Sequence, residues 1–208
     1  HLCSEEGLNI HGGVWHGAVS PSLGANENVG WMTTTNSLDM VDVFQLQMKP
    51  DKTMNYQFDN QWLPLEEFTI TLKVKIFLGI KVNVKKTCYW SKYGATFKNK
   101  HGFFSIRAGS LMRITPAEQL YQMNKATSLN EFKKAIEYFP IENFIYADRK
   151  DSIYLVNNGL VPKRNPNYNW RKAVPGNTSQ TLWTDFHGIS DMVNYSNPKA
   201  GYLYNVNN

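Results

Sequence analysis

The sequence predicts an α+β layered protein, and three observations carry that expectation. Residues 68–84 are apolar at every second position. Two later stretches open with helix-capping signatures, one of them running on at helical spacing. Two short apolar runs then flank a polar turn. Strands, then helices, then strands is the order of an α+β fold, not of repeating β-α-β units. With 208 residues, 42% hydrophobic and 19% charged, the chain can bury a real core, and residues 1–208 are read as one folded piece.

Residues 7–38 are rich in Gly, Asn, Ser and Thr with short apolar fragments, which predicts short strands joined by turns. In the next segment Met40, Phe44, Leu46 and Met48 share one strand face. Asp42 falls on that same face, where a carboxylate needs a partner because burying it alone is costly. From Phe68 to Val84 the alternation is unbroken, with Thr, Lys and Asn mostly in between. Seventeen residues exceed a usual strand, which predicts a bend near Gly79 or a long curved ribbon, and its apolar face demands a second layer. Thr115-Pro116-Ala117-Glu118 and Ser128-Leu129-Asn130-Glu131 both read as capping boxes. After the second, Phe132, Ala135, Ile136 and Phe139 form the buried stripe of a helix that Pro140 ends. Asn143–Asp148 and Ile153–Val156 then form a hairpin across a turn at 149–152. The final stretch, with Pro162, Pro166, Pro175 and Pro198 among interleaved aromatics, reads as an ordered wandering segment.

Composition excludes several functions. A net charge of +5 is modest, and basic residues cluster only in pairs such as Lys85-Lys86, so nucleic acid is not an expected partner. Nothing approaches the roughly 18 apolar residues of a membrane span. Cys3 and Cys88 lack metal or redox spacing, and either one disulfide or two free thiols suits them. The five histidines have no ligand spacing, and no G-x-S-x-G, P-loop or G-x-G-x-x-G is present. The chain opens at His1 with neither an initiator Met nor a signal-peptide pattern. It therefore starts after processing or at a cut in a longer chain. Asp39 and Asp42 could meet one hard cation only if the segment between them kinks, and two strand-end carboxylates are the plainer reading. The closing Asn205, Asn207 and Asn208 would by themselves mark a turn, although a buried Asn amide can also donate to a developing oxyanion.

Several segments in order carry a resemblance. They are Gly24-Ala25-Asn26-Glu27-Asn28-Val29-Gly30-Trp31 running into Thr33-Thr34-Thr35, then Asp39-Met40-Val41-Asp42-Val43-Phe44. After these come Asn143–Asp148, Gly159–Arg164, Val174-Pro175-Gly176 and Asn197–Asn208. Together they resemble the β-chain of the penicillin acylase family, which includes acyl-homoserine lactone acylases. The resemblance implies a partial α/β/β/α sandwich of antiparallel sheets, as in N-terminal-nucleophile (Ntn) hydrolases, with 1–208 an incomplete domain.

The resemblance also implies a chemistry. A nucleophile that becomes N-terminal after autocleavage attacks a linear acyl amide, and its own α-amine acts as base. That residue is expected upstream of His1, so the rest of the parent polypeptide is the implied partner and the 208 residues alone are expected to be inactive. The Thr35 N–H and the Asn207 side-chain amide match the oxyanion donors, each worth about 3 kcal/mol to the transition state. Leu23 matches an acyl-pocket contact. A structural calcium ion is implied at Asp39, Val41 and Asp42, with a further carbonyl near Trp170. A periplasmic or secreted location also follows from the resemblance. The competing expectation is a non-catalytic β-rich binding or scaffolding module.

Overall fold

The computed structural model describes residues 1–51 and 53–207. The first strands are β1 (Leu2–Cys3), β2 (Asn9–Gly13), β3 (Leu23–Ala25), β4 (Val29–Thr34) and β5 (Val41–Gln45). A middle group follows as β6 (Asn55–Phe58), β7 (Gln61–Pro64), β8 (Glu66–Lys75), β9 (Lys81–Ser91), β10 (Gly94–Asn99) and β11 (Gly102–Ala108). Helices α1 (Pro116–Lys125) and α2 (Leu129–Ala135) precede β12 (Asn143–Asp148), β13 (Ile153–Asn157), β14 (Val174–Pro175) and β15 (Asn194–Ser196). The chain forms two compact units. One comprises His1–Met40, Gly109–Pro162 and Phe186–Asn208; the other comprises Val41–Ala108 and Lys163–Asp185.

The first unit is a seven-stranded sheet in the order β1-β2-β3-β4-β12-β13-β15, antiparallel throughout. The glycine-rich start has a steric cause. A Cβ on Gly12 would sit 2.1 Å from Leu23 O, and one on Gly24 would sit 2.5 Å from His11 O, so β2 and β3 close only because both lack side chains. Met123, Phe132 and Ala135 of the helices and Ile136, just past α2, share a core with Val29, Trp31, Phe144, Tyr146, Tyr154 and Val156 of the strands. Phe132 is its hub, with ring centroids 4.8 Å from Tyr146, 5.8 Å from Phe144 and 5.9 Å from Trp31.

Both helices start where expected, with altered caps. Thr115 makes no side-chain cap and donates its hydroxyl to Tyr138 O instead. Ser128 does cap α2 by accepting from Glu131 N, but Glu131 reaches back to Thr127 N, one residue earlier than a capping box requires. α2 ends at Ala135 rather than running to Pro140.

The second unit is a six-stranded sheet, β14-β5-β11-β10-β9-β8, with the β6-β7 hairpin apart from it. The two-residue β14 pairs parallel with β5, and every other pairing is antiparallel. Its core holds Phe44, Leu46, Tyr56, Phe58, Tyr93, Val174 and Trp183. Here the bend expected near Gly79 is a full reversal, and the alternative of a long curved ribbon is corrected. Residues 68–84 fold back on themselves as β8 and β9, paired from Glu66↔Trp90 to Lys75↔Lys81. The turn between them is Phe77–Gly79, in which Leu78 and Gly79 take positive φ. Alternation was the right reading of strand conformation, and Gly79 marked the place of the bend, but neither showed that the chain reverses fully there. Among the described residues no layer covers the ribbon's apolar face. Phe68, Ile70, Leu72 and Val74 are all exposed, and at the turn Phe77 and Leu78 are 81% and 82% exposed.

Candidate active site

The site is built where β4 runs out. Thr34 is the last residue of β4 and stands opposite Asn143, the first residue of β12. Asn143 is buried, and its Nδ2 donates to Thr34 Oγ1 at 3.1 Å and to Thr35 O at 3.4 Å. From the far end of the chain, Asn205 Nδ2 also donates to Thr34 Oγ1, at 2.5 Å. A threonine hydroxyl has two acceptor positions, and two amides occupy them. Thr35 follows on the exposed side, and its N–H donates to Asn207 Oδ1 at 3.2 Å across 172 positions of sequence. The two residues expected to act together are thus in direct contact, with the Thr35 carbonyl held by Asn143 and the Asn205 contact two residues before Asn207. Asn208 lies outside the described residues.

The surroundings are rich in amides. Asn36 Nδ2 donates to Asn158 O at 2.7 Å, and Asn158 Nδ2 donates to Ile136 O at 3.0 Å. Glu142, next to Asn143 in sequence, is pushed above its ordinary range by burial, with a Thr33 hydrogen bond working against the rise.

Leu23 lies elsewhere on the sheet. It lines an open groove of about 710 Å³ with Gly30, Met32 and Ile145 among others, and the lining includes neither Thr35 nor Asn207. The groove suits an apolar group, although Met32 alone is 63% exposed.

Of the residues expected to hold calcium, Asp39 precedes β5, and Val41 and Asp42 open it. Asp39 belongs to the first unit, and Val41, Asp42 and Trp170 to the second. Asp42 is buried, as its place in the pattern requires, and its partners are protein groups. Oδ2 accepts from Arg164 Nε at 2.8 Å and from Trp183 Nε1 at 2.7 Å. Trp170 donates its indole N–H to Asn165 O. An oxygen that already holds a guanidinium does not fit a cation, because the arginine supplies the positive charge. Among the described residues no three His, Cys, Asp or Glu side chains gather as a metal group. No step is built on a metal here. Cys3 and Cys88 are both free thiols, the first exposed and the second half-buried.

Sequence reasoning did not identify Thr34, Asn143 or the role of Asn205. The available signal was the Asn205-x-Asn207 spacing, together with a polar residue opening the otherwise apolar run Asn143–Tyr146.

Comparison with solved structures places this architecture. The chain superposes on a thermostable penicillin G acylase from Alcaligenes faecalis with a TM-score of 0.84 and 23% identity, covering 99% of this chain and 37% of that one. The fold is therefore that of the Ntn hydrolases. The family model for penicillin amidase matches residues 1–208, and the chain belongs to that family. Among curated relatives, it is 27% identical over 172 residues to the acyl-homoserine lactone acylase PvdQ of Pseudomonas fluorescens (strain Pf0-1), covering 78% of this chain and 22% of that protein. It is 24% identical over 187 residues to the penicillin G acylase of Escherichia coli, covering 89% of this chain and 22% of that protein. The chain thus spans about a fifth of the length of these relatives.

Proposed function

We propose that this chain forms the oxyanion-holding part of a linear amide hydrolase. The nucleophile is an N-terminal residue outside the 208 residues. Its oxygen or sulfur attacks the acyl carbonyl while its α-amine takes the proton. The C–N bond then breaks, the amine leaves with that proton, and water releases the carboxylic acid. The part played here is to hold the negative charge that develops on the carbonyl oxygen.

One observation carries the reading: a backbone N–H at the end of a sheet strand meets a side-chain amide from the opposite end of the sequence, Thr35 N–H on Asn207 Oδ1. Without substrate the amide oxygen satisfies Thr35 N–H. A substrate oxygen takes that place, and rotation of the Asn207 amide turns Nδ2 toward it, so both donors converge. Once the amide has turned, both donors face the oxygen on which charge develops and stabilise the transition state. Leu23 and its groove take part of the acyl group. Family membership supports the reaction class, and an exported location belongs to the same proposal.

The test is Asn207→Ala in the longer protein that contains this segment. kcat for amide hydrolysis is expected to fall on the order of 10²-fold to 10³-fold with KM little changed. An unchanged kcat would sink the assignment. The isolated 208 residues should hydrolyse no amide, and turnover by the pure chain would show that the nucleophile lies within it.

A further inference from the structure

We infer that Thr34, Asn143 and Asn205 act as one clamp that positions the two oxyanion donors; this rests on the reading of Thr35 and Asn207 given above. The argument begins with the peptide plane. Thr35 N–H belongs to the same planar unit as the Thr34 carbonyl, so whatever fixes Thr34 aims that N–H. Thr34 Oγ1 is held from two directions, by Asn143 Nδ2 at 3.1 Å and Asn205 Nδ2 at 2.5 Å. The following peptide is held as well, because Asn143 Nδ2 reaches Thr35 O at 3.4 Å.

The second donor depends on the same hydroxyl. Beyond Asn197, whose N–H donates to Ile153 O, the chain up to Asn207 forms no helix or strand, so no ladder carries the hold further. Asn205 fastens it to the end of β4, two residues before Asn207. One hydroxyl therefore ties together a strand end, a neighbouring strand and the tail, and sets the separation between Thr35 N–H and the Asn207 amide. These three are positioning residues, since none has been placed against substrate. A misplacement of about 1 Å in such a pair is costly to catalysis.

The test uses two readouts. In the 208-residue chain, amide hydrogen exchange at Thr35 is followed by NMR. Thr34→Val keeps the side-chain shape and removes the acceptor; Asn205→Ala removes one donor. Each should speed exchange at Thr35 roughly fivefold, the worth of one lost hydrogen bond, while Thr34→Ser should restore the wild-type rate. Unchanged exchange in both variants, with circular dichroism and melting as in wild type, overturns the clamp. In the longer protein the same two variants should lower kcat at least tenfold with KM held, and Thr34→Ser should recover it. Faster exchange with undiminished kcat also overturns the positioning role. A longer protein that hydrolyses no amide would defeat the proposed function, while the exchange readout would still decide the clamp.

Discussion

At the residue scale, Asp42 is a carboxylate buried in the second unit. A carboxylate on the face shared by Phe44 and Leu46 had to find a partner, and Arg164 and Trp183 supply it. What the segment could not reveal was that the partner lies 122 positions away and is a cation belonging to the protein. Breaking a buried pair by removing one member leaves the other charge uncompensated. Arg164→Met should therefore lower stability by about 3 kcal/mol in denaturant unfolding. Asp42→Asn in the Arg164→Met background should recover part of that loss, which a merely bulky site would not do. Added calcium should leave the wild-type melting temperature unchanged, because Arg164 already neutralises Asp42. A clear rise that chelation reverses would instead return this carboxylate to a metal.

Elements were legible in proportion to how local their causes are. Ser128 caps α2, and the hairpin of β12 and β13 closes through Asp148, whose Oδ1 accepts from Lys150 N and Ser152 N. Each of these contacts lies within four residues, so the sequence announces them. The reversal at Phe77–Gly79 was less visible because the apolar alternation continues through both strands, and only Gly79 marks the place. The candidate site was half legible. Thr35 and Asn207 could be named from family-like segments, but contacts spanning 109 and 171 positions, Asn143 and Asn205 onto Thr34, have no local signature. The β8–β9 ribbon makes a testable statement at this scale. Its apolar side is open to solvent, and β8 is an edge strand, an arrangement that templates association. Replacing Leu72 and Val82 by Lys should reduce concentration-dependent aggregation seen by light scattering and leave the melting temperature within a degree or so, since side chains already in water contribute little to folding. A large fall in melting temperature would mean that the ribbon is packed after all.

For the whole molecule, the titrating groups set a stability plateau with two edges. Hydrogen bonds from Ser179 hold Asp59 below its ordinary range. For Asp148, burial pushes upward but is outweighed by donors from Ser152, Tyr146 and Lys150, and the net shift is downward. A carboxylate depressed by folding adds stability above its unfolded pKa of about 4, and that stability is lost as pH falls through the folded value. Phenols move the other way: burial raises Tyr56, Tyr93 and Tyr146, and carries Tyr154 up to about 12. A raised phenol adds stability that is complete below its unfolded pKa of about 10 and lost as pH climbs through the folded one. Denaturant midpoints should therefore fall below about pH 4 and above about pH 10. One hydrogen bond belongs to both edges, because Tyr146 O–H donates to Asp148 Oδ2 at 2.9 Å. It favours the ionised form of Asp148 and the neutral form of Tyr146 together. Tyr146→Phe should accordingly lower the plateau by about 1 kcal/mol and make both the acid and the alkaline declines shallower. A plateau that drops while both edges keep their slopes would show that the hydrogen bond does not couple the two titrations.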